Sequence, residues 1–212
     1  MRGKIFICLL ACGLASGARA ESAWTNTEIH RWQAEALLQG LNAEILASPS
    51  ATTSLEKWCS ARHLAAEPKL IAEQVASEPK APTPEQRARL GVGPDEPVEF
   101  RHVRLRCGAH VLSEADNFYV PARLTAEMNQ ALETTQIPFG RVVRPLEPYR
   151  RTFDARVLWS PAAAPVGGEK LDMPQALFEH RAVLYTRDNK PFSEVDEVYQ
   201  RDVLDFPPDA VK

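Results

Sequence analysis

Past its first twenty residues the chain lacks any apolar run approaching the roughly 20 residues that cross a bilayer, so no integral membrane span is expected. It has no glycine-rich phosphate loop, no Gly-x-Ser-x-Gly elbow and no His-Glu-x-x-His pair, which leaves the common nucleotide, serine-hydrolase and zinc-protease signatures unrepresented. The histidines His30, His63, His102, His110 and His180 are scattered without paired spacing, so no metal site is expected, and nothing in the pattern asks for a cofactor. Positive charge is not in excess: 25 Lys and Arg stand against 28 Asp and Glu. That balance argues against a nucleic-acid partner or an anionic membrane surface. Cysteine is scarce, with four residues at 8, 12, 59 and 107.

What is present begins with a leader. Arg2 and Lys4 precede the apolar stretch Ile5 to Cys12, and Ala18-Arg19-Ala20 closes it with small residues. These are the three regions of a secretory signal, with cleavage expected before Glu21 and a periplasmic or secreted product. Leu9-Leu10-Ala11-Cys12 also resembles a lipobox, the alternative in which Cys12 carries a lipid anchor. Losing Arg2, Lys4 and Arg19 with the leader takes the formal charge from −3 to −6. Cys59 and Cys107 then remain. An even pair in an oxidising compartment points to one disulfide, the alternative being two separately buried thiols.

The 212-residue chain is 44% hydrophobic and 25% charged, at globular averages, so residues 21–205 are expected to form one domain, followed by a tail from Phe206 to Lys212. Apolar residues from Ile29 through Trp32, Ala36, Leu37, Leu41, Ile45 and Leu46 predict an amphipathic helix over 27–46. After Ser48-Pro49-Ser50 a second helix carries Leu55, Trp58 and Cys59, with Thr53 or Ser54 as its cap. A short strand follows at 70–75, then a short helix opened by Thr83-Pro84-Glu85 and closed by Gly91. Residues 98–106 alternate as a strand and pair with 111–120 in a hairpin. Thr125 opens a helix to Leu132, and Pro138-Phe139-Gly140 turns into a strand at 141–143. Residues 150–159 are extended, and a last hairpin joins 176–187 to 192–204. This order predicts an α+β fold with a mostly antiparallel sheet and covering helices.

The strands carry unusual polarity. Alternation places Asn117 on one face with Ala115 and Ser113, and Glu114 and Asp116 on the other; Glu194, Asp196 and Glu197 repeat the theme in the last hairpin. A buried carboxylate needs a partner, and Arg101, Arg104, Arg106, Arg141 and Arg181 are candidates. These side chains are either a solvated sheet face or the lining of a half-enclosed pocket for a small anion.

The segments Val98 to Pro121, Ile137-Pro138-Phe139-Gly140-Arg141 and Arg181 to Tyr199 resemble chorismate lyase and the related UTRA ligand-binding domains, and the resemblance covers most of the mature chain. It implies a chorismate lyase-like fold with a pocket enclosed by sheet and helices. It further implies that Glu197 is the acidic residue acting on the substrate, with Asp196 one register away. Gly140 and Arg141 would follow the proline turn, with Arg141 fixing a carboxylate. Asn117 stands where the lyase has a carboxylate-gripping arginine, and Ala51 where it has a methionine. Three functions follow: an exported module binding a small carboxylated ligand; a cofactor-independent enzyme releasing pyruvate from chorismate or acting on a related ring compound; or a structural or interaction protein of the envelope.

Overall fold

The computed structural model describes residues 22–208. The expected leader, with Cys8 and Cys12, and the last four residues lie outside the described residues.

Helix α1 (Glu28–Ala47) begins where the Thr27 hydroxyl accepts the His30 N–H at 3.3 Å, satisfying one donor of the open first turn. Its buried row is Ala34, Leu38, Leu41 and Ile45. Ile29 and Trp32, expected on the inner face, are 64% and 60% exposed. At 100° per residue they sit nearly opposite the buried row, which small Ala34 continues where a large residue would have been easier to recognise. Helix α2 (Ala51–Ala61) is capped by Ser50 and not by Thr53 or Ser54: the Ser50 Oγ accepts the Thr53 N–H at 3.4 Å, and Ser54 is buried one turn in.

Strand β1 (Leu70–Gln74) leads to helix α3 (Pro84–Leu90), which has a reciprocal Thr83–Gln86 capping box and ends at Gly91 in the left-handed region. Strands β2 (Glu99–Cys107) and β3 (His110–Tyr119) form the first hairpin. Helix α4 (Ala126–Thr134) is capped by Thr125, and the short helix α5 (Phe139–Val142) replaces the strand expected at 141–143. Strand β4 (Tyr149–Val157) then precedes the hairpin of β5 (Ala176–Tyr185) and β6 (Pro191–Gln200). All six strands form one antiparallel sheet in the order β1-β2-β3-β6-β5-β4. The fold is therefore α+β, as the element order predicts.

The two hairpins meet at the β3–β6 pairing, which sets Ala115 against Glu197 and Asn117 against Val195. On the inner face one apolar cluster joins α1 and α2 to one end of the sheet, around Leu38, Leu55, Leu105 and Tyr199. A second joins α4 and α5 to the other end, around Tyr119, Leu132, Phe139 and Leu184. The polar residues of β3 and β6 lie between them. Cys59 of α2 and Cys107 of β2 are bonded, with Cα atoms 6.4 Å apart.

Phe206, expected to begin the tail, is instead packed into the core. Trp24 and Trp58 donate their indole N–H groups to the carbonyls of Leu204 and Val203 at 2.8 Å, and Phe206 is buried edge-on against both rings. An aromatic ring and two backbone acceptors give this segment a docking site that its Pro-rich sequence concealed.

Candidate functional site

A cavity of about 50 Å³ lies between the inner face of the sheet and a cover made by the starts of α2 and α5. Asn117 of β3, Glu197 of β6 and Arg150 of β4 supply its polar floor, while Val195, Leu184 and Phe139 supply apolar walls. Such a volume admits water-sized occupants, whereas small-molecule sites commonly run to several hundred Å³. The cover is packed tightly at Gly140, where a Cβ would stand 2.9 Å from the Thr52 Oγ1 and 3.1 Å from the Ser50 Oγ. A wider groove of about 420 Å³ runs beside Ser22, Lys170 and Arg201, but it is open and holds no buried charge among the described residues.

Glu197 is buried, as strand alternation requires for the row Val195, Glu197, Tyr199. Its Oε2 accepts from the Arg150 Nη1 at 2.5 Å and from the Tyr199 hydroxyl at 3.2 Å. Burial would loosen the Arg150 proton, but adjacent Glu197 reverses this and holds the guanidinium charged. Burial first, and Glu197 second, push the Tyr199 hydroxyl well above its usual range, so it stays a neutral donor. Next in the cross-strand row, His180 is fully buried and bonded to the Asn42 Oδ1 at 2.7 Å. Burial, helped by Arg150, lowers its pKa to about 4, so the ring is neutral at ordinary pH.

Asn117 accepts the Ser193 hydroxyl at 2.7 Å on its Oδ1, which leaves its NH2 as the end available to an occupant of the cavity. Two guanidinium groups of the inner face are not fully satisfied: Arg150, which lines the cavity, and Arg101, which does not. The Arg150 Nη2 is buried without an acceptor among the described residues. Arg101 is only 8% exposed, and none of its Nε, Nη1 and Nη2 has one. Burial eases its proton loss, with Tyr119 opposing. Arg101 sits directly across from Asn117 in the β2–β3 register, on the face that carries Val103 and Leu105.

The structure thus brings Glu197, Asn117 and Gly140 together and separates two other expected site residues from them. Arg141 does not face the cavity: α5 turns it toward α2, where it pairs with Glu56. The expected clamp fails because Pro138 opens a helical turn, which re-aims the side chain. Asp196 cannot exchange roles with Glu197, because alternation sends it to the outer face, where Arg181 holds it at 3.0 Å. Burial there raises the Asp196 pKa, with Arg181 opposing. The same outer face carries the Arg104–Glu114 pair and His102 between Asp116 and Glu114, the solvated alternative foreseen for the strand polarity. Arg150, Tyr199 and His180 were not foreseen as site residues. Alternation within β6 pointed to Tyr199, but the facing of Arg150 depends on a register shift between Thr152 and Asp154 that no local pattern announces.

Among the described residues no group of three or more His, Cys, Asp or Glu is placed to hold a metal ion, and no helix is long and apolar enough to cross a membrane.

The fold and cavity define an α+β protein with a small, half-open charged pocket between sheet and helices. The chain belongs to the family of the uncharacterized protein y4mC of Sinorhizobium fredii (strain NBRC 101917 / NGR234), with 47% identity over 203 residues, 91% of this chain and 86% of that one. No family model matches. Among solved structures it is similar to PhnF from Mycobacterium smegmatis, at 15% identity and a TM-score of 0.49 over 75% of this chain and 67% of that one. It is also similar to the effector domain of the same protein, at 16% identity and a TM-score of 0.46 over 73% of this chain and 90% of that one. YydK from Bacillus subtilis gives 17% identity and a TM-score of 0.43 over 65% of this chain, which spans 61% of YydK.

Proposed function

We propose that this protein is an exported binding protein for a small carboxylated ligand, taken into the cavity beneath α2 and α5. The observation that carries this reading is a charge imbalance. Two guanidinium groups are buried on the inner face against one carboxylate, Glu197: Arg150, which lines the cavity and keeps an unpartnered Nη2, and Arg101, which lies outside the cavity lining with its three nitrogens unpartnered among the described residues. A buried charge without a counter-charge is unfavourable by several kcal/mol, and an anionic ligand would supply what the fold omits. The small volume implies that the cover over Gly140 separates when the ligand enters.

A lyase-like reaction is the second reading, with Glu197 as acid or base. Binding is favoured over it because the Glu197 Oε2 is committed to both Arg150 and Tyr199. Export is supported by the three-part leader and by the Cys59–Cys107 bond, and the acidic formal charge of the mature chain supports a small ligand over nucleic acid.

The test is thermal-shift screening of the oxidised protein against short aliphatic and aromatic carboxylates, repeated on Arg150→Gln/Glu197→Gln, which changes the floor without stranding a charge. A ligand at 100 times its Kd adds about 2.7 kcal/mol. A rise in Tm abolished or weakened in the double variant supports the proposal. Silence across the panel, or shifts indifferent to the variant, would overturn it.

A further inference from the structure

The two edges of the sheet are finished differently. At one, β1 is only five residues long, and its Ala72 N–H donates to the Gln136 carbonyl at 2.7 Å, so the segment before α5 covers it. At the other, β4 runs for nine residues and pairs its backbone with β5 alone. The Leu158 N–H donates to the Leu177 carbonyl of β5 at 2.9 Å. Strand alternation then turns the backbone groups of Arg156 and Asp154 toward β5 as well, and leaves those of Val157 and Ala155 facing away from the sheet. An open edge of this length is a template for another strand.

The side chains specify which strand fits. Asp154 and Arg156 lie on the outer face, across from Arg181 and Glu179 of β5. Two copies related by a twofold axis perpendicular to the sheet would pair antiparallel, with their outer faces on the same side. With that axis at Ala155, Asp154 of each copy stands across from Arg156 of the other, giving two opposite-charge pairs. Moving the axis to Asp154 sets aspartate against aspartate, and moving it to Arg156 sets arginine against arginine. Charge therefore selects one register. Ala155 is small and exposed, so nothing bulky stands on the axis, and its outward N–H and C=O can exchange bonds with their copies. Phe153, Val157 and Leu158 are 45%, 49% and 45% exposed, and they flank that axis. The bulge between Thr152 and Asp154 limits the pairing on one side and Ser160-Pro161 on the other.

We propose that β4 is a homodimer interface: two copies join edge to edge about Ala155, and their six-stranded sheets become one continuous antiparallel sheet. A contact confined to one short strand pairing falls at the small end of specific interfaces, so the dimer exchanges with monomer. Because β4 also carries Arg150, assembly braces the strand that supplies part of the cavity floor.

Analytical ultracentrifugation of the oxidised protein over a range of concentrations tests this. The unmodified protein is expected to show a reversible monomer–dimer equilibrium. Asp154→Arg and Arg156→Asp each put like charges across the axis and should weaken self-association by at least about tenfold in Kd. Mixing the two variants in equal amounts should restore association as a heterodimer, because one then presents two cations and the other two carboxylates. The restored dimer also shows that both variants are folded. Asp154→Arg/Arg156→Asp in one chain should self-associate like the unmodified protein. A monomer at every concentration, a dimer indifferent to both single variants, or a mixture no tighter than either variant alone would overturn the proposal.

Discussion

Glu197 and Arg150 each supply the charge that the other's burial requires, with side chains 9% and 4% exposed. Removing the carboxylate strands a guanidinium in a low-dielectric interior, so Glu197→Ala is predicted to destabilise the fold by about 3–5 kcal/mol, read from the denaturant midpoint. Replacing both partners by apolar residues of similar size should recover much of that loss. A near-neutral Glu197→Ala would mean that water already solvates Arg150. His180 makes the second residue-scale prediction. Its folded pKa of about 4 lies below the ordinary value of 6.5, so the unfolded chain binds more protons between those pH values. Stability should be at full strength above pH 6.5 and fall as pH drops toward 4, by at most about 3 kcal/mol from this group. Urea denaturation between pH 7 and 4 measures the slope, and His180→Gln should flatten it.

At the scale of elements, the cover is defined by how closely α5 approaches the start of α2. Gly140→Ala pushes a methyl group against the hydroxyls of Thr52 and Ser50 and is predicted to cost about 1–3 kcal/mol while lowering ligand affinity. Unchanged stability would show that the cover is already loose. These elements were unequally legible in the sequence. The two hairpins announced themselves because apolar alternation and turn residues are local signals, and Asn117 and Glu197 fell on the inner face for the same reason. Arg150 was hidden because its facing is set by pairing with β5, a long-range property. Arg141 was misplaced because Pro138-Phe139-Gly140 serves equally as a turn into a strand or as the first turn of a helix, and packing against Glu56 decided between them. The cap of α2 is Ser50, three or four residues before the expected Thr53 or Ser54, because all three have suitable hydroxyls and only the fold selects the one outside the first turn.

At the scale of the molecule, the Cys59–Cys107 bond ties α2 to β2 across 48 positions of chain. In the chain-entropy model a closure of this length stabilises by about 4 kcal/mol, so reduction should lower the denaturant midpoint by a corresponding amount. Alkylation of the unreduced, denatured protein should find neither thiol free, and finding both free would remove this support for an oxidising compartment. The central claim is that the cavity floor, where Arg150 is paired with Glu197 but keeps an unpartnered donor, receives a small ligand, and the most direct measurement observes that guanidinium itself. Side-chain Nε–Hε resonances of the arginines, assigned by comparison with Arg101→Lys and Arg150→Lys, can be followed while a carboxylate that raises the Tm is added. The account predicts that the Arg150 signal, which lines the cavity, moves and saturates, while those of exposed arginines such as Arg187 stay in place. A stationary Arg150 signal at every concentration would contradict it.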